Sequence, residues 1–113
     1  MKHIGNGRMI HSRATELATW RALVALAAKQ AGCKPIDSPI IISMRFRIKR
    51  PKTVKRDHPT VPPDLDKLVR GVNDGLTGVA FTDDSQIVQL TASKIYSEHT
   101  GVDIEISDEF DCL

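Results

Sequence analysis

From Ile40 to Lys49 the chain alternates strictly: Ile42, Met44, Phe46 and Ile48 are interleaved with Ser43, Arg45, Arg47 and Lys49. Successive side chains of a strand point to opposite faces, so this stretch reads as a strand with one apolar and one basic face. Such a strand belongs in a sheet that is covered on its apolar side. The next segment cannot prolong it. Pro51, Pro59, Pro62 and Pro63 each lack the amide hydrogen that a ladder or helix needs, which predicts a loop over 50–63. That loop also carries Arg50, Lys52, Lys55 and Arg56.

Helical spacing lies on both sides of this strand and loop. Trp20, Leu23, Val24, Ala27 and Ala31 predict a helix capped at Ser12 or Thr15 and closed by Lys29 and Gly32. Leu65, Leu68, Val69, Val72 and Leu76 form the apolar stripe of a second helix over 64–76, ended by Gly78. Its opposite face gathers Asp66, Arg70, Asn73 and Asp74. Ahead of the first helix, residues 5–10 read as a turn and a short extended stretch. After the second, Val79 to Phe81 reads as a short extended piece, and a strand is expected from Ser85 to about Tyr96. A hairpin turn at Glu98-His99-Thr100-Gly101 leads to a last strand in which Val102, Ile104 and Ile106 alternate with polar residues. The tail from Asp108 reads as an acidic, frayed end. The order helix, strand, helix, strand, strand predicts one α+β domain over 1–113, with two helices packed on a small mixed sheet.

Its core must be lean, because Trp20, Phe46, Phe81, Tyr96 and Phe110 are the only aromatics, and a partner subunit would add buried surface. No apolar run is long enough for a membrane span, and the N-terminus lacks a signal-peptide core. Cys33 and Cys112 show no metal-ligand spacing, which fits reduced thiols in the cytoplasm. The four histidines likewise stand at no ligand spacing. Charge is divided unevenly: residues 1–56 hold thirteen Lys/Arg against Glu16 and Asp37, and residues 57–113 hold twelve acids against Lys67, Arg70 and Lys94. A basic half beside an acidic half suits a polyanion-binding surface next to a cation-loaded site, although the two halves would also neutralise each other in any fold.

The acids are concentrated at Pro63-Asp64-Leu65-Asp66, opening the second helix, and at Asp83-Asp84, on a turn before a strand. Individually each has an ordinary reading: Asp64 as a helix cap, Asp83 and Asp84 as turn residues, Arg70 as a rung between Asp66 and Asp74. Together they suit Mg²⁺, a hard cation taking few oxygen ligands from protein, and hence metal-assisted phosphodiester chemistry. Arg70, or Lys67, would then stabilise charge on the phosphate in flight.

The run Pro63-Asp64-Leu65-Asp66-Lys67-Leu68, followed by Asp74-Gly75-Leu76-Thr77-Gly78, Asp83-Asp84-Ser85-Gln86-Ile87-Val88 and Lys94, resembles the signature of RusA-type Holliday junction resolvases, many of them encoded by phages and prophages. The first helix and the strand ending in Arg50-Pro51-Lys52 fit as well. The resemblance implies that Asp64, Asp66 and Asp84 bind metal, that Asp74 and Lys94 match the family's helix aspartate and strand lysine, and that a Mg²⁺-dependent homodimer without organic cofactor cuts four-way DNA junctions. Two departures stand out. Arg70 occupies the place of the family's catalytic lysine, and arginine keeps the charge without being able to shuttle a proton; Lys67 stands where an asparagine is usual and would supply an ammonium one turn earlier. Family members also begin with a further strand and a Pro-rich basic segment, which implies that this chain lacks that first strand and leaves a sheet edge bare.

DNA backbone is expected on Arg45, Arg47, Lys49, Lys52, Lys55, Arg56 and Lys94. The rival reading is a non-catalytic DNA-binding or regulatory module, a truncated relic of the family included, in which the acids merely cap helices and offset the basic half.

Overall fold

The computed structural model describes residues 8–12 and 17–108. Its elements are β1 (Arg8–Ser12), α1 (Leu17–Gln30), β2 (Ile40–Lys49), α2 (Leu65–Leu76), a 3₁₀ turn at Asp84–Gln86, β3 (Ile87–Ser97) and β4 (Gly101–Ser107). The expected α+β architecture is present, with the short extended stretch near the N-terminus forming β1 ahead of the five main elements. Ser12 ends β1, so it does not cap α1; the alternative cap Thr15, the aromatic Phe110, Cys112 and the acidic tail beyond Asp108 lie outside the described residues.

The four strands form one mixed sheet in the order β1-β4-β2-β3. β2 is the strand that the alternation demanded, and it is central: β3 runs parallel to it on one side and β4 antiparallel on the other. The expected hairpin at 98–101 is therefore not one. β3 and β4 are joined by a short loop that passes the end of β2, where the Thr100 hydroxyl accepts the Lys49 amide at 3.1 Å and the Ser97 carbonyl accepts the Arg50 amide at 3.2 Å. The physical reason is burial. β2 carries the most apolar face, and placing it inside gives Ile42, Met44 and Phe46 neighbours on both flanks.

Both helices cover the same face. Trp20, Val24 and Ala28 of α1 and Leu68, Val72 and Leu76 of α2 are buried against Ile40, Ile42, Met44 and Phe46 of β2 and Val102, Ile104 and Ile106 of β4. Trp20 meets Phe46 edge-on, with centroids 5.7 Å apart. α1 closes with a Schellman turn: Gly32 takes φ +83°, its amide bonds the Lys29 carbonyl, and the Cys33 amide bonds that of Ala28. α2 then lies close against α1. A Cβ on Gly75 would stand 2.6 Å from the Arg21 carbonyl oxygen, so only glycine permits this approach.

β2, α2 and β3 make a strand-helix-strand crossover, and this sets direction. α2 begins near the far ends of β2 and β3 and runs back toward their starts, where Phe81 bridges to Ile36 and Thr77.

Candidate active site

Asp64 stands at the N-cap of α2, and its carbonyl accepts the amides of Lys67 and Leu68, both at 3.1 Å. Its carboxylate makes no capping bond. It is 60% exposed and lies 3.7 Å from the Lys67 ammonium, a surface pair contributing little to stability. Capping thus explains the backbone of Asp64 and leaves its side chain uncommitted. Asp66, in the first turn, is exposed as well.

The ion-pair ladder expected around Arg70 does not form. Asp74 is taken by Arg21 of α1, Nη2 to Oδ2 3.4 Å, and exposed Arg70 makes no ion pair among the described residues. Its guanidinium is left on the same helix as Asp66, one turn further on.

The proline-rich segment before α2 is irregular but tied down. Lys94 on β3 donates from its ammonium to the carbonyls of Val61 at 2.8 Å and Pro63 at 3.0 Å. These bonds hold the residue next to Asp64 in place, because prolines leave carbonyls here without regular partners. Two residues on, Tyr96 accepts from Arg56 Nη1 at 2.7 Å and lies 4.6 Å beneath the Arg50 guanidinium. Arg50 also donates to the carbonyls of Val54 and Arg56 at 3.4 and 2.7 Å. The loop is therefore ordered around two arginines and one ring, with Lys52 and Lys55 on the same segment. Sequence reasoning missed Arg50 and Tyr96. An aromatic among polar residues at the end of a strand, level with a basic loop, was the available signal.

The strand cations differ. Alternation places Arg45 and Arg47 on the sheet face away from the helices, and both pair with Asp103 of β4 at 3.7 and 3.2 Å. Arg45 is 61% exposed and Arg47 only 19%, so Arg45 is the one offered outward.

Asp83 and Asp84 separate cleanly. The Asp83 carboxylate accepts the Ser85 amide at 2.9 Å, and the Gln86 side chain accepts the Asp83 amide at 2.7 Å, a complete capping box. Hydrogen bonding to Ser85 holds the Asp83 carboxyl below the usual aspartate range. Gln86 also donates to the carbonyls of Ile36 and Ser38 at 2.8 and 2.9 Å, fastening the turn to the start of β2. Asp84 is exposed and takes no part in the box.

Position along the sheet decides which acids meet. Asp64 lies by Lys94, which is level with Phe46, and Asp84 lies just before Ile87, which is level with Ile40. Six residues of strand span about 20 Å, and the twelve residues of α2 span about 18 Å. Asp64 and Asp66 are together at one end; Asp84 is at the other. Among the described residues no three His, Cys, Asp or Glu side chains come close enough to hold an ion. Mg²⁺ is commonly bound through only one or two carboxylates with waters, and the uncommitted oxygens of Asp64 and Asp66 suit that donor requirement.

A family model for the endodeoxyribonuclease RusA matches residues 2–107. The chain is 30% identical to the uncharacterized protein YqaN of Bacillus subtilis (strain 168), across 93% of the chain and 83% of that protein. A shorter match, 42% identical, links 43% of the chain to 38% of the crossover junction endodeoxyribonuclease rusA of Lactococcus phage r1t.

Proposed function

The chain belongs to the RusA family of endodeoxyribonucleases, and from that premise we propose that it is a Mg²⁺-dependent, structure-selective nuclease that resolves four-way DNA junctions as a cytoplasmic homodimer. The observation that carries this reading is the state of the α2 N-terminus. Two exposed carboxylates, Asp64 and Asp66, and Arg70, which makes no ion pair among the described residues, stand beside a loop of ordered cations. Asp64 and Asp66 would hold the metal, and Asp84, at the other end of the same chain, would reach it from the second copy of the homodimer. Mg²⁺ held there would supply charge neutralisation at the scissile phosphate and activation of the attacking water. Arg70, with Lys67 beside it, stabilises the charge that develops on the phosphate, a task needing a fixed cation and no proton transfer. Lys49, Lys52, Lys55, Arg56 and the outward-facing Arg45 bind the DNA backbone, and Lys94 holds the loop that presents Asp64.

The rival, a non-catalytic module whose acids cap helices, accounts for Asp83 and leaves the exposed carboxylates of Asp64 and Asp84 outside any cap. Incubation with a synthetic four-way junction in Mg²⁺ and in EDTA separates the two. We expect paired, symmetric incision in Mg²⁺ only, abolished in Asp66→Asn with no loss of thermal stability. A protein that binds the junction but never cuts it would return the acids to capping.

A further inference from the structure

We propose that Tyr96 is a positioning residue, whose hydroxyl aims the Arg56 guanidinium at a phosphate of the bound DNA. The inference rests on the DNA-binding side of the reading above and adds the group that orients one of its contacts.

The sheet puts Tyr96 where this is possible. Tyr96 is level with Ile48 of β2, as Lys94 is level with buried Phe46. Alternation therefore stands both side chains on the face that the helices cover, where α2 begins. Lys94 fastens the end of the proline-rich segment and Tyr96 its beginning. The Arg50 amide is bonded to the Ser97 carbonyl at 3.2 Å, next to the ring. The Arg50 guanidinium lies over that ring, 4.6 Å from its centroid, and donates to the Arg56 carbonyl at 2.7 Å. The chain from 50 to 56 is thereby folded back on the ring, and Arg56 Nη1 meets the hydroxyl at 2.7 Å. Arg50 thus holds the backbone of Arg56, and Tyr96 holds its side chain.

An exposed hydrogen bond of this kind does little for the fold, because water replaces either partner. Its consequence is for binding. A loose arginine surrenders rotamer freedom when it grips a phosphate; here that ordering precedes the encounter. The bond engages Nη1, and the rest of the planar group of exposed Arg56 keeps N–H donors in the fork geometry that matches phosphate oxygens. The ring by itself serves Arg50. The hydroxyl serves Arg56, so the two tasks can be separated by one atom.

Tyr96→Phe makes that separation, since it keeps the ring under Arg50. Binding of a four-way junction, followed in EDTA over a range of salt, should weaken about tenfold, the order of one charge-assisted contact. The slope of log affinity against log salt should fall by about 1, although the substitution removes no charge. Arg56→Ala should lose as much, and the double variant should bind no more weakly than Arg56→Ala alone. In Mg²⁺ the KM of Tyr96→Phe should rise by the same factor, with kcat and melting temperature at parental values. Parental affinity and slope in Tyr96→Phe, beside a loss in Arg56→Ala, would mean that Arg56 finds its phosphate unaided and would overturn this inference alone. Additive losses in the double variant, or a melting temperature that falls with the affinity, would overturn it too. The expected slopes in a protein that cuts no junction would leave Tyr96 its role and overturn the nuclease reading.

Discussion

Adjacent aspartates at 83 and 84 have different work, and the hydrogen bonds tell them apart. Asp83 is committed to its capping box, and its carboxyl is held acidic by Ser85. A carboxyl whose folded pKa is depressed stabilises above its unfolded pKa and loses that contribution as pH falls through the folded value. Asp83→Ala should therefore melt below the parent at neutral pH, the gap shrinking as pH drops below about 4, while cleavage at permissive temperature is retained. Asp84→Asn should do the opposite, keeping the melting temperature and losing cleavage. If the task of Arg70 is electrostatic, Arg70→Lys keeps most activity and Arg70→Ala loses about 10²–10³ in single-turnover rate, as for removal of one transition-state donor. A large loss in Lys67→Ala with little in Arg70→Ala would move the role to Lys67, and parental rates in both would remove the helix cations from the chemistry. These side chains were legible in the sequence because helix spacing alone puts them on one face. The role of Lys94 was not, since its partners Val61 and Pro63 lie 33 and 31 residues away.

At the scale of elements, local pattern was readable and pairing was not. The alternation over Ile40–Lys49 and the stripe of α2 place their elements where the structure has them, because period reports which face is buried. The same signal says nothing about which strands are neighbours. A short turn between two alternating segments reads as a hairpin, yet β2 lies between β3 and β4, since the most apolar strand gains most from two flanks. Helix contact was equally hidden. Gly71 and Gly75 lie one turn apart on α2, but an added Cβ at Gly71 would sit 3.9 Å from Trp20 Cβ, an ordinary contact, and at Gly75 2.6 Å from the Arg21 carbonyl. Gly75→Ala should therefore push α1 and α2 apart and cost about 1–3 kcal/mol. Gly71→Ala should be neutral or stabilise by up to about 1 kcal/mol, through helix propensity. Urea midpoints of the two variants decide it, and equal shifts would mean that the helices do not meet at Gly75.

Across the whole molecule the two halves of the chain meet, with Asp103 of the acidic half beside Arg45 and Arg47 of the basic half. The basic half supplies both the ordered loop beside α2 and the strand face on the far side of the sheet, and these two groups of cations are not equivalent. Those of the loop stand at the same end as Asp64 and Asp66, with Arg56 held by Tyr96. Those of the strand face Asp103, and Arg47 is half-buried with it. Counterion release makes the distinction measurable, because each phosphate contact contributes about one unit to the slope of log affinity against log salt. Lys52→Ala and Lys55→Ala should each weaken binding to any DNA and lower that slope by about 1, with melting temperature unchanged. Arg47→Ala should leave the slope nearly intact and instead lose about 1–3 kcal/mol of stability, since Asp103 loses its closest guanidinium in a poorly solvated site. The reverse outcome, a flat response in the loop variants and a lowered slope in Arg47→Ala, would move the DNA to the open face of the sheet. The acids at the start of α2, on the helix side, would then be out of its reach, and the nuclease reading would fail with them.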